Sequence, residues 1–155
     1  MTVGNQLFNF IVNTGSSAAW VASPGYQCVN SSALPKQQAI DQSSCGFGNL
    51  YNPNETFQII PGKHQTNIYE AGCIFVSGPL GRDTFSLSGA SFPNQEFCAA
   101  ILASFAPPDN FTSGLFGWSI LPEHWYATAA GALWMIYHQT PPPMHHSSRQ
   151  SRTLV

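Results

Sequence analysis

Phe10-Ile11-Val12-Asn13-Thr14-Gly15-Ser16-Ser17-Ala18-Ala19-Trp20-Val21 is the stretch on which the fold turns. It opens with β-branched and aromatic residues, which predicts a buried strand over Phe8–Val12. Asn13 to Ser17 then break the run with turn-forming residues. Apolar character resumes at Trp20-Val21-Ala22. The pattern is strand, tight polar turn, strand.

The rest of the chain repeats that alternation on a coarser scale. Thirteen Gly and 12 Pro are spread through 155 residues, too many for long helices. Residues 25 to 50 form a polar, loop-like excursion with Cys28 and Cys45 at its ends. Phe57-Gln58-Ile59-Ile60 reads as a strand. Gln65 to Leu87 reads as two strands around a glycine-rich tip, with Leu80, Phe85 and Leu87 facing a core. Gly89 can turn the chain into a return strand over Phe92–Ala100, and Gly114 to Trp118 is a further apolar strand. The expected class is therefore mostly β. No internal repeat is visible.

Composition bounds the function. Charged residues are 8% of the chain, against roughly 25% in an average globular protein. The net charge is −2 with no basic stripe, which argues against a nucleic-acid partner. The longest apolar candidate, Ala127 to Tyr137, is shorter than the roughly 18 residues of a membrane span, so no membrane partner is expected. Cys28, Cys45, Cys73 and Cys98 contain no CxxC pair and no histidine at finger spacing, so zinc is set aside and two disulfides in an oxidising compartment are expected. Sequons at Asn30, Asn54 and Asn110 agree with a secreted glycoprotein. His145 and His146 fall in a polar tail and are read as solvated rather than as metal ligands. No signal peptide precedes Met1-Thr2-Val3-Gly4, which leads straight into a strand-like run, so the true start of a secretory chain is expected to be missing.

Five landmarks in order carry a family resemblance. Phe10 to Val21 resembles the first active-site segment of pepsin-like aspartic peptidases, apolar-apolar-Asp-Thr-Gly-Ser followed by Trp-Val. Tyr69-Glu70-Ala71-Gly72 falls where that family places its flap, and Gly78-Pro79-Leu80-Gly81-Arg82-Asp83-Thr84-Phe85 is similar to the run after it. Gln95-Glu96-Phe97 and Gly114-Leu115-Phe116-Gly117 are similar to the next strand and to the glycine-bounded strand that supports the catalytic loop.

The resemblance implies one incomplete lobe of a bilobal, mostly β fold over residues 1–118. A tail over 119–155 would lie outside the family pattern, with a short helix over Ala127–Trp134 before Pro141-Pro142-Pro143 and a disordered end. That tail is either a docked helix or sequence foreign to the family. The resemblance also implies a flap role for Tyr69, Glu70 and Gly72, with the Tyr69 hydroxyl reaching toward Trp20. Trp20, Gly114 and Gly117 would support the groove. Cys28 would pair with Cys45, leaving Cys73 with Cys98.

By family the activity is endopeptidase cleavage of peptides or proteins, extracellular or lysosomal, without a cofactor. One carboxylate activates water while its protonated partner donates to the scissile carbonyl. Here Asn13 stands at the first aspartate position, beside Thr14, Gly15 and Ser16, and no second Asp-Thr-Gly occurs downstream. The further departures are Glu70 at the flap tip and Ser113 in place of an aspartate before Gly114. The chain is expected to be catalytically inactive, and Asn13 reads equally as selected inactivation or as drift. A non-catalytic module holding extended peptides under the flap is the alternative, and an active homodimer would need an aspartate where Asn13 stands. Low charge and unpaired lobe edges predict self-association.

Overall fold

The computed structural model describes residues 1–30, 37–53, 56–69, 74–107 and 109–118, together with the backbone of Met135–Ile136. The described residues are mostly strand. β1 (Thr2–Val3), β2 (Gln6–Leu7), β3 (Phe10–Asn13) and β4 (Ala19–Cys28) come first. A 3-10 turn at Gln42–Ser44 separates them from β5 (Gln58–Tyr69), β6 (Ile74–Leu87), β7 (Ala90–Ala103), β8 (Gly114–Gly117) and β9 (Met135–Ile136). The sheet runs β2-β1-β6-β7-β4-β8-β3, with β5 paired to β6 and β9 paired to β5.

Two hairpins have connections of only two residues. Leu87 pairs with Ala90 across Ser88-Gly89, and Val3 pairs with Gln6 across Gly4-Asn5. All four loop residues have positive φ, which matches the right-handed twist of the flanking strands. The Gly89 turn was legible in the sequence. The β1–β2 hairpin is an addition to the strand-like run read there.

Alternation along the central strands divides the core into two layers. On β4, Trp20 and Ala22 face one cluster, while Ala19 and Val21 face the other. On β7, Cys98 and Ala100 join the first cluster, and Phe97 and Ala99 the second. The stretches Ala19–Ala22 and Phe97–Ala100 are thus covered on both faces, which explains their unbroken small and apolar residues. Phe85 and Phe97 pack edge to face at 5.3 Å in the second layer, and truncating such a ring costs about 3–5 kcal/mol.

Three expectations need correction. The Phe8–Val12 run is not a buried strand. Phe8 is buried, but β3 is the edge of the sheet beside β8, and Val12 is 60% exposed. Apolar identity alone does not say whether a strand is covered. The polar excursion assigned to 25–50 starts too early, because β4 continues through Pro24 and Gly25 to Cys28. The sheet register shifts between Ala22 and Gln27, so the chain passes its Pro-Gly bend without leaving the sheet. Leu87 is only half-buried, whereas Leu80 and Phe85 are buried as expected.

Cys28 and Cys45 form a disulfide across 17 residues with their Cα atoms 5.8 Å apart. A closed loop of that length stabilises by about 3 kcal/mol in a chain-entropy account. The expected Cys73–Cys98 pair does not form: Cys98 is a free, buried thiol. Cys98 lies opposite Leu80 on β6, and its thiol donates to the Gln65 carbonyl at 3.8 Å. Cys73 itself falls outside the described residues, as do Asn54, Glu70, Gly72, the Ala127–Trp134 helix and the tail beyond Ile136.

Burial pushes the Cys98 thiol up to about 12. At pH 8 the native thiol then stays protonated, and it is buried, so Cys98 should label with iodoacetamide only after denaturation. Peptide mapping by mass spectrometry checks this, and fast labelling of the native chain or a Cys73–Cys98 linked peptide would contradict it.

Candidate functional site

The site grows from the crossing of β3, β4 and β8. β3 runs parallel to β8, with Asn13 opposite Gly117, and β8 runs antiparallel to β4, with Trp20 opposite Leu115. The loop between β3 and β4 must therefore reverse the chain against the end of β8. The backbones there approach so closely that side chains do not fit. A Cβ on Gly114 would land on the Trp20 carbonyl oxygen, and one on Gly117 would meet the backbone of Ala18 and the Ser16 carbonyl. These glycines are required by contact, and Gly117 N donates to Ala18 O at 2.9 Å to hold the loop.

Asn13 ends β3 half-buried at the mouth of that loop. Its Oδ1 accepts the Gly15 backbone N–H at 2.8 Å, and its Nδ2 donates to Ser16 Oγ at 3.3 Å. Ser16 is buried, whereas Thr14 and Gly15 are exposed, so the bracing falls to Ser16 and the Gly15 amide. The Asn13 carbonyl oxygen accepts from Trp118 N at 2.7 Å.

Trp20 lies behind the loop with no exposure, and its Nε1 donates to the Tyr69 hydroxyl at 2.6 Å. That bond joins β4 to the last residue of β5. Around it stand Phe47 and Phe105, whose rings pack on Trp20 at 5.7 and 5.4 Å. Sequence reasoning missed both phenylalanines, because no local pattern links positions 47 and 105 to Trp20. It also missed Asn67, which is buried on β5 and accepts from Gln65 Nε2 at 2.8 Å.

Asp83 lies in the other layer and is itself buried. It accepts from the Tyr51 hydroxyl at 2.8 Å, Thr56 Oγ1 at 3.0 Å and Thr84 N at 2.7 Å. It is satisfied structurally and does not reach the loop. Among the sequons, Asn30 and Asn110 are exposed. The hydroxyl of Thr112, which completes the second, is buried and donates to Asp109 Oδ2 at 2.7 Å. No three His, Cys, Asp or Glu side chains among the described residues converge on a metal position. Likewise, no helix among the described residues is long and apolar enough to cross a membrane.

Comparison with known proteins decides the family. The family model described as eukaryotic aspartyl protease matches residues 1–130. The chain belongs to the eukaryotic aspartyl protease family. It is also similar to a "probable aspartic-type endopeptidase" of Aspergillus fumigatus, 34% identical over 117 residues that make up 76% of this chain. The matched region covers 25% of that relative, so the chain spans about a quarter of the length of this aspartyl protease. The curled sheet of the chain is that of one lobe of the aspartyl protease fold, as expected from the order of its motifs.

Burial raises the Tyr69 phenol above its ordinary value, and burial with the neighbouring Asp83 does the same for Tyr51. An acid whose folded-state value is raised contributes no loss below its unfolded value and progressive loss above it. Stability should therefore begin to fall above pH about 9, where Cys98 would ionise in the unfolded chain, and fall more steeply above about 10, where the tyrosines would. Urea titrations at pH 8, 9.5 and 11 check this, and unchanged stability at pH 11 would contradict the burial of these groups.

Proposed function

We propose that this chain is the peptide-binding part of an aspartyl protease lobe, and that its own catalytic position does not hydrolyse peptide bonds. The observation that carries the reading is Asn13. The family's active-site segment folds into a loop braced by Gly15 and Ser16, but a neutral carboxamide occupies the position of the carboxylate. An amide has no proton to exchange near neutral pH and cannot act as general base. The surroundings still suit an extended peptide. Thr14 and Gly15 are exposed on the loop, and the end of β5 is tied through Tyr69 to Trp20 on β4, the strand that follows the loop. The substrate class follows the family, peptides or proteins, and the Cys28–Cys45 bridge fits an extracellular or lysosomal compartment.

The purified chain should leave denatured haemoglobin and casein uncut in mild acid. Asn13→Asp should also stay inactive, because a single carboxyl cannot serve as base and acid together. Pepstatin-sensitive cleavage by the unmodified chain would overturn the reading. Cleavage by Asn13→Asp alone would point to a dimer in which each copy supplies one introduced aspartate.

A further inference from the structure

Of the three sequons, only Asn110-Phe111-Thr112 lies wholly within the described residues. Its two chemical ends sit in different surroundings. Asn110 is exposed, on a backbone with φ 55°. Its carboxamide lies over Gly46 with the oxygen inward, since a Cβ on Gly46 would fall 2.2 Å from Oδ1 and 3.2 Å from Cγ. The amide nitrogen, the atom that a glycan joins, is the end turned away from Gly46. Thr112 is buried. Its hydroxyl donates to Asp109 Oδ2 at 2.7 Å, and the backbone N–H groups of Phe111 and Thr112 donate to Asp109 Oδ1 at 3.1 and 2.9 Å.

Tertiary contacts close the same segment. The Thr112 carbonyl accepts from Gly48 N at 3.0 Å, Ser113 N donates to Asn9 O at 2.7 Å, and Ala22 N donates to Ser113 O at 3.0 Å. A Cβ on Gly48 would lie 2.1 Å from the Phe111 carbonyl oxygen. The sequon is thus held by the segment after Cys45, by the approach to β3 and by β4. These contacts exist only once segments distant in sequence have come together.

A sequon is read at both ends, because the motif demands a hydroxyl two residues after the asparagine. We propose that Asn110 is an N-glycosylation site that is open in the unfolded chain and sealed by folding, so that its sugar is attached before Thr112 is buried. The donor is a lipid-diphosphate-linked oligosaccharide. Asn110 Nδ2 forms the bond to its anomeric carbon, and the bond from that carbon to the diphosphate oxygen breaks. The lipid diphosphate leaves, and one amide proton passes to a base of the transferase. A transferase that meets the folded chain finds the nitrogen without the hydroxyl. A glycan attached earlier stays on the surface, where Asn110 is exposed.

The test offers a purified oligosaccharyltransferase and its lipid-linked oligosaccharide to the unglycosylated chain, either native or reduced with its cysteines carboxamidomethylated. Peptide mapping by mass spectrometry locates the sugar, and the unreactive Cys98 thiol certifies the native sample. Asn110 should be modified in the unfolded chain, and roughly a hundredfold or more slowly in the native one, the ratio set by the rarity of local opening. Asp109→Ala removes the hydrogen bonds that hold the turn, so the native variant should accept the sugar roughly tenfold faster than the native unmodified sequence. If that variant fails to fold, the comparison of native with unfolded chain carries the test alone. Failure of Asn110 to accept sugar in the unfolded chain overturns the site. Native modification within about threefold of the unfolded rate overturns the seal. A native Asp109→Ala chain modified no faster than the unmodified sequence overturns the part assigned to Asp109.

Discussion

The hydrogen bond from Trp20 Nε1 to the Tyr69 hydroxyl is the contact on which the site depends. Trp20 sits on the strand that is paired on both sides, parallel to β7 at Cys98 and antiparallel to β8 at Leu115. Its backbone is therefore fixed by the sheet, and its indole has no freedom to follow a moving partner. Tyr69, at the end of β5, is held by this donor, with Phe105 packed on both rings and Phe47 on the indole. An indole N–H and a phenol buried without each other would each cost about 1–3 kcal/mol. The bond satisfies the indole donor and an acceptor site of the phenol, and it ties the end of β5 to β4.

The opposite layer solves a similar problem with a charge. Asp83 is buried in a chain with very few charged residues, and no cation is needed beside it because three donors converge on its oxygens. The same Tyr51 that donates to Asp83 also gives its backbone N–H to Ala22 O at 2.8 Å, on the strand that carries Trp20. The segment before β5 is thereby tied to β4 and β6 together. Here buried polar groups stitch together segments distant in sequence. The motif around Asp83 marks it in the sequence as structural, and its neighbours in space show which donors hold it.

Sequence reading succeeded where local chemistry decides the outcome. The order strand, polar turn, strand at 10–21, the glycine-bounded strand at 114–117 and the turn at Gly89 are all set by backbone demands that few residue types meet. It failed where the answer depends on what lies opposite. Val12 looks like core until its strand proves to be an edge. Cys98 looks like half of a disulfide when cysteines are counted, yet the register of β6 and β7 puts Leu80 across from it. Phe47 and Phe105 meet Trp20 from loops that no periodicity connects. Asn13 was found from the sequence, but its hydrogen bonds, which decide what it can still bind, were not.

Those bonds also show that asparagine is more than an aspartate without charge. An ionised carboxylate at this position would accept from both Gly15 N and the Ser16 hydroxyl, drawing the serine proton inward. The carboxamide accepts from Gly15 alone and donates to Ser16, so the serine oxygen becomes the acceptor and its proton must turn elsewhere. Ser16 is buried, and its carbonyl lies against Gly117, so there is little room to answer this reversal by moving the backbone. The loop keeps its shape because a hydroxyl can donate or accept from one position. Had position 16 carried a pure donor, the amide would have faced it hydrogen to hydrogen, and the substitution at 13 would have deformed the loop. Serine at 16 can meet either side chain at position 13 from one place, as acceptor to an amide or donor to a carboxylate.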